Sequence, residues 1–277
     1  MEFMKVILPL VLALSLLATF GLAQAQEPCK STVVGNVRIE QFQSKIFDRM
    51  ITIRIWLPDE YTDVSQATRK YPTLYMLDGQ NAFDQCTAFK GEQELRLDET
   101  VTRLITERKI PPMIVVGIDS AHGGGRDYEY EVWKDPLTDA NAKEPDGKEL
   151  PLFFGTELIP YVSARYRVSD DAVHTGIGGT SVGGFAALYV ALNRPDLFGL
   201  VLAESPDLWL GNGQLLRDTT FLLRAPDRIA MGVGKSEYAF PRSKEYFVPL
   251  CVTERDAEAA TVKMDQILAS NTQKGFY

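Results

Sequence analysis

The sequence predicts an α/β protein: a mostly parallel central sheet with helices on both faces, entered through an N-terminal antiparallel hairpin. Three observations carry that expectation. Short continuous apolar runs at residues 73–77, 113–118, 172–177 and 200–203 have the length of strands buried on both faces. These runs alternate with stretches of helical spacing, the pattern of a parallel sheet with crossover helices. Ahead of them, residues 37–43 and 50–56 alternate apolar and polar side chains, as strands with one buried face do.

The chain opens on a segment that reads as an address. Lys5 precedes an apolar stretch over residues 6–22, and Ala23-Gln24-Ala25 offers a small-x-small cleavage site. Residues 1–25 are therefore expected to be a signal peptide cut after Ala25, which implies export to a periplasm or beyond. The stretch is near the lower length limit of a spanning helix, so no stable membrane anchor is expected. Residues 26–277 are of ordinary size for a single domain.

Within that domain, residues 45–48 join the two alternating segments into a hairpin, and Pro58-Asp59 ends its second strand. The run at 73–77 stops at Asp78-Gly79. Asp98 is placed to cap a helix carrying Val101, Leu104 and Ile105. Pro111-Pro112 introduces the strand at 113–118. Residues 119–148 then show no period, and so long an irregular stretch in a compact domain is often functional. Helical spacing returns at Phe153, Leu158, Tyr161 and Val162, with Pro160 as a potential kink. Later elements are a strand at 172–177, a helix at 185–193, a strand at 200–203, a helical patch at 215–223 and a strand at 228–233. An amphipathic helix at 257–268 presents Ala260, Met264, Ile267 and Leu268 on one side.

Bulk properties exclude several classes. A net charge of −8 argues against nucleic acid as a partner, because phosphate neutralisation dominates that binding. No cluster of His, Cys and carboxylates has metal-ligand spacing, so neither a structural metal nor a metal cofactor is expected. Cys29, Cys86 and Cys251 allow one disulfide in an oxidising compartment, with the pairing left open.

The chemistry centres on Gly179-Thr180-Ser181-Val182-Gly183, between an apolar run and a helix-like stretch. Strand, sharp turn and helix make G-x-S-x-G a nucleophile elbow, in which a strained turn exposes the serine oxygen. Around it, residues 71–81 (YPTLYMLDGQN), 154–161 (FGTELIPY), 178–184 (GGTSVGG) and 194–199 (RPDLFG) occur in a familiar order. Together they resemble a family of α/β hydrolases that includes esterase D, enterochelin-type siderophore esterases, feruloyl and acetylxylan esterases and the antigen 85 acyltransferases.

That resemblance implies an α/β-hydrolase fold and cleavage of carboxylic esters through an acyl-serine intermediate, with no cofactor. It matches Ser181 to the nucleophile and the backbone N–H groups of Val182 and Gln80 to the oxyanion hole. It matches Glu237 to the acid that orients a histidine, with Asp207 as the competing carboxylate. Arg126, Glu129 and Tyr130 resemble a family loop that lines the substrate cleft, and Asp78, Gly79 and His122 are further candidates for contact with substrate. The expected partner is a small-molecule or polysaccharide-linked ester.

The histidine is where the sequence departs from the pattern. His174 is expected inside the strand before the elbow, pointing into sheet packing. His122 follows the strand at 113–118, at the same sheet edge as the elbow, and can reach a substrate. In the resembling family the base follows a final strand, and residues 273–277 match only the start of that strand. A last strand, histidine loop and closing helix are thus expected to be missing and activity impaired. A non-catalytic binding protein and an acyltransferase using the same cleft are the alternatives.

Overall fold

The structure is a computed structural model, and it describes residues 29–89, 93–122, 124–134, 143–219, 222 and 224–233. The chain divides into two units, residues 1–31 and 32–277. The signal-peptide expectation, Glu237, Cys251 and the helix expected at 257–268 lie outside the described residues. In the second unit Cys86 is disulfide-bonded.

Seven described strands form one sheet: β1 (Asn36–Ser44), β2 (Arg49–Leu57), β3 (Thr73–Leu77), β4 (Ile114–Ile118), β5 (Thr175–Thr180), β6 (Leu200–Glu204) and β7 (Arg228–Gly232). Their order is β1-β2-β4-β3-β5-β6-β7. The hairpin forms as predicted, with Asn36 opposite Leu57 and Ser44 opposite Arg49, and β2 runs antiparallel to β4. All later neighbours are parallel. Six helices are described beside the sheet: α1 (Leu97–Thr106), α2 (Gly125–Tyr130), α3 (Leu150–Phe153), α4 (Ile159–Ser163), α5 (Val182–Asn193) and α6 (Gln214–Asp218).

Side-chain alternation sorts the core into two faces. Tyr75 and Leu77 of β3, with Ile114, Val116 and Ile118 of β4, join the larger cluster under α5. Met76 and Val115 point the other way, to Trp56, Phe83 and Val101 of α1. Helix α5 is apolar around nearly its whole circumference, which suits a helix enclosed on all sides. Phe185, for example, is fully buried and meets Trp133 edge-on. Between α3 and α4 the backbone widens into a π segment, Phe154–Leu158. Pro160, which has no N–H for the turn before it, follows at once, so the expected disruption is absorbed as a bulge.

Two sequence expectations are corrected here. Asp98 does not cap α1: the cap position is Arg96, in left-handed backbone, and Asp98 sits in the first turn. Its carboxylate instead accepts the Val34 N–H at 2.6 Å, fastening the chain before β1. His174 does not lie in β5. It closes a short 3-10 turn, Ala172–His174, ahead of the strand, where it is exposed and its Nδ1 lies 2.8 Å from Asp171 Oδ1. The apolar run that suggested a strand from 172 registers with its neighbours only from Thr175 onward.

Candidate active site

Strand β5 ends at Thr180, and the chain reverses into α5 through Ser181 at φ 55°, ψ −125°. An L-residue in that region carries on the order of 1–3 kcal/mol of strain, sustained only if the surroundings fix it. Here they do: Ser181 N–H donates to Glu204 O at 2.9 Å, and Ser181 O accepts the Phe185 N–H at 3.1 Å. The turn closes only because residue 179 is glycine, since a Cβ there would lie 2.3 Å from Gly183 O. The strain leaves Ser181 exposed at the C-terminal ends of the parallel strands, where open α/β sheets bind their ligands.

The two expected oxyanion donors flank this point. Val182 is the first residue of α5, so its N–H has no carbonyl of the preceding turn to bond. Gln80 lies in the turn Gly79–Asn81 that follows β3. Its side chain is used for anchoring: Nε2 donates to Ser120 Oγ at 3.0 Å, and Oε1 accepts the Ser120 N–H at 3.1 Å. Its carbonyl accepts from Thr87 Oγ1 at 2.8 Å. Both ends of the residue are held, which sets the direction of its amide. Backbone amides that converge on a reacting carbonyl are the groups that stabilise the anionic oxygen of a tetrahedral intermediate, and these two residues are the ones expected to supply them.

Asp78 and Arg126 connect the oxyanion turn to the elbow. Asp78, in left-handed backbone, is buried, and Arg126 Nε and Nη2 donate to its two carboxylate oxygens at 2.8 and 2.7 Å. Arg126 Nη2 also donates to Thr180 O at 3.3 Å. Burial works against the guanidinium charge, yet the hydrogen bond and charge of Asp78 outweigh it and hold Arg126 above its ordinary pKa. Tyr130 lies under the Arg126 guanidinium and accepts the Asp78 N–H at 3.1 Å. Burial, with the Asp78 charge second, pushes the Tyr130 hydroxyl well above its ordinary pKa, so it remains protonated.

The irregular stretch after β4 is pinned from below by β2. Arg54 makes a bidentate pair with Asp119 at 2.7 and 2.8 Å. Arg49 grips Glu129, whose Oε2 also accepts the Ala121 N–H at 3.1 Å. With that underside fixed, Ser120, Ala121 and His122 face a cleft of about 500 Å³, shared with Gln80, Phe89, Arg126 and Ser181.

The structure thus brings Ser181, Gln80, His122 and Arg126 together around one cleft and sets Val182 beside Ser181. Asp78 and Gly79 are buried behind its wall, and Glu129, expected at the substrate, is turned onto Arg49. His174 lies at the opposite end of β5 from the elbow, about 20 Å away at the rise of a six-residue strand. Sequence reasoning gave Phe89 no role, yet it is exposed at the rim of the cleft. Asp207, which the sequence offers only as a competing acid, touches the serine itself: Ser181 Oγ donates to Asp207 Oδ2 at 3.0 Å. Its position after the strand neighbouring β5 is the signal that could have ranked it higher.

Comparisons with known proteins agree with this layout. The family described as Putative esterase matches residues 44–249. An iron(III) enterobactin esterase of Dickeya dadantii is 30% identical over 60% of this chain and 32% of its own length. An endo-1,4-beta-xylanase/feruloyl esterase of Xylanibacter ruminicola is 26% identical over 60% of this chain and 21% of its own length. The chain spans about a third or less of the length of these curated relatives. Among solved structures, an IroE-like serine hydrolase from Shewanella oneidensis shares the fold with a TM-score of 0.64 and 19% identity, covering 87% of this chain and 72% of that one. A ferric enterobactin esterase from Salmonella typhimurium does so with a TM-score of 0.61 and 22% identity, covering 89% and 53%. With an α/β-hydrolase-like sheet, an elbow serine and a family match over most of its length, the chain belongs to the Esterase family.

Proposed function

We propose that this chain is an exported serine esterase that cleaves carboxylic esters through an acyl-serine intermediate. The observation that carries the reading is Ser181: a strained, exposed hydroxyl in a cleft that Gln80 also lines, with Val182 next to it at the start of α5. The hydroxyl attacks the ester carbon, and the two amides hold the developing oxyanion. Gly79 supplies the close backbone approach that seats the Gln80 turn, and the Asp78–Arg126 pair keeps turn and elbow in register. Glu237 keeps its proposed role as orienting acid by family resemblance.

The substrate is a small-molecule or polysaccharide-linked ester. Relatives named as enterobactin and feruloyl esterases support that class, and the exposed Phe89 ring at the rim suits an ester with a flat or apolar group. Export rests on the leader-like residues 1–25, and the disulfide at Cys86 fits an oxidising compartment. Among the described residues, no helix is long and apolar enough to cross a membrane.

The test is covalent. A fluorophosphonate probe is expected to modify Ser181, located by peptide mass spectrometry, and the chain is expected to hydrolyse p-nitrophenyl acetate. Both are expected to vanish in Ser181→Ala. A folded protein that neither reacts nor turns over would remove the esterase reading in favour of a binding protein.

A further inference from the structure

After Phe83 the chain makes a short loop that forms one wall of the cleft: Thr87, Ala88 and Phe89 line it beside Gln80 and Ser181. No residue from 84 to 89 is buried, whereas Phe83 before them is. The loop is closed by its own polar groups. Asp84 Oδ1 accepts the Cys86 N–H at 3.0 Å, and Asp84 O accepts the N–H groups of Thr87 and Ala88 at 3.0 and 3.1 Å. A segment with so little buried apolar surface has low local stability, and its position depends on what tethers it.

Two hydrogen bonds tie the loop to the oxyanion turn. Thr87 Oγ1 donates to Gln80 O at 2.8 Å, while Ser120 holds the Gln80 side chain. The Phe89 N–H donates to Asn81 Oδ1 at 2.7 Å. A third tether is covalent: Cys86, next to Thr87 in the chain, is disulfide-bonded. The bond that fixes Cys86 therefore also limits the movement of the hydroxyl that holds Gln80.

We propose that the Cys86 disulfide positions the oxyanion turn through Thr87 and so makes ester cleavage depend on the oxidised state of the chain; this rests on the esterase reading above. Cys86 and Thr87 act as positioning residues, through Gln80. A dithiol reductant gives two electrons and two protons to the disulfide, which becomes two thiols while the dithiol closes to a disulfide of its own. The loop then loses its covalent tether, Thr87 drifts from Gln80 O, and the Gln80 amide is no longer fixed where the oxyanion forms. The Ser181 elbow keeps its own hydrogen bonds, which run to Glu204 and Phe185. The chain is thus slow while reduced and reaches its full rate in an oxidising compartment, which couples activity to export.

The experiment measures p-nitrophenyl acetate kinetics and fluorophosphonate labelling in the full chain, oxidised and after reduction with dithiothreitol that is then removed under nitrogen, with circular dichroism on each. Reduction is expected to lower kcat and the labelling rate about tenfold, with KM changed far less, because a displaced catalytic group costs rate. Exposure to air is expected to restore both. Cys86→Ser is expected to show the same loss and no further response to dithiothreitol. Thr87→Val, which keeps the disulfide, is expected to show a loss of similar size. The double variant is expected to lose no more than the larger single loss, as two residues acting through one contact do. A reduced parent within about threefold of the oxidised rate, or a double variant whose loss is the product of the single losses, would overturn the proposal and leave the esterase reading intact. So would reduction that abolishes the folded circular dichroism spectrum, since the disulfide would then hold the fold rather than the turn. A folded, oxidised parent that neither labels nor turns over would overturn both.

Discussion

Arg126 clasps Asp78 through two hydrogen bonds of 2.8 and 2.7 Å, and a Cβ on Gly183, in the first turn after the serine, would lie 2.8 Å from Asp78 Oδ2. One ion pair is thus wedged between the turn that carries the Gln80 amide and the helix start that carries the Val182 amide. Arg126 also reaches the Thr180 carbonyl, immediately before the nucleophile. Its charge is spent on Asp78, which makes it a positioning residue.

Removing that charge tests the relationship. Arg126→Met leaves a buried carboxylate unpaired and is expected to cost about 3 kcal/mol, the lower end for breaking a buried pair. Small displacements of catalytic groups can cost about 100-fold. A fall in kcat towards that size, with KM changed far less, is therefore expected in p-nitrophenyl acetate kinetics. Arg126→Lys should recover part of both losses. A rise in KM alone would mean that the arginine contacts substrate.

Backbone strain at Ser181 predicts an inverted stability order. Alanine keeps a Cβ at φ 55° and ψ −125°, whereas glycine adopts that region freely. Ser181→Gly is expected to be more stable than Ser181→Ala by on the order of 1 kcal/mol, seen as a higher midpoint in urea unfolding. Both should be inactive. Equal midpoints would mean that the turn stores no strain.

Gly79 meets the sheet more closely than any side chain could. A Cβ there would lie 2.4 Å from the Gly117 carbonyl carbon and 2.5 Å from Ile118 N, both backbone atoms of β4. Gly79→Ala must push the turn off the strand and is expected to destabilise the fold by about 3 kcal/mol, the upper range for overpacking. Thermal denaturation measures the cost, and labelling of Ser181 should slow in parallel because Gln80 moves with the turn.

Asp98 introduces a pH dependence unrelated to catalysis. Burial, with the hydrogen bond and charge of Glu99 acting in the same direction, raises its pKa to about 6 despite the Val34 N–H. An unfolded aspartate titrates near 3.9. Between about pH 4 and 6 the folded state therefore binds more protons, and stability contributed by this group falls as pH rises. The contribution is largest below that window and lost above pH 6. Urea unfolding across pH 4–7 is expected to show this loss in the parent and a flatter profile in Asp98→Asn. Identical profiles would show that Asp98 titrates alike in both states.

Much of this architecture was legible from local pattern. Alternation over 37–56 specified the hairpin, and the apolar runs specified strands that pair in parallel, because both signals are set by neighbours along the chain. Ser181 and its flanking glycines were equally legible, since the elbow's steric demands fall on five consecutive residues. Asp98 and His174 depart from that local pattern for one reason. Adjacent sequence suggests a cap at Asp98 and a strand at His174, while their environments are decided by Val34, 64 positions away, and by where β5 enters register with β3.

The same boundary runs through the active site. Residue order alone established a parallel sheet and a serine forced outward at the end of one strand, because steric exclusion and side-chain periodicity act over a few residues. Folding decided which partners that serine meets. Asp207 on its hydroxyl, Arg126 consumed by Asp78, and Glu129 drawn to Arg49 rather than the cleft are pairings across 26, 48 and 80 positions. Charges and hydrogen-bonding groups seek the nearest complement in space, and only the packed sheet determines which one is near.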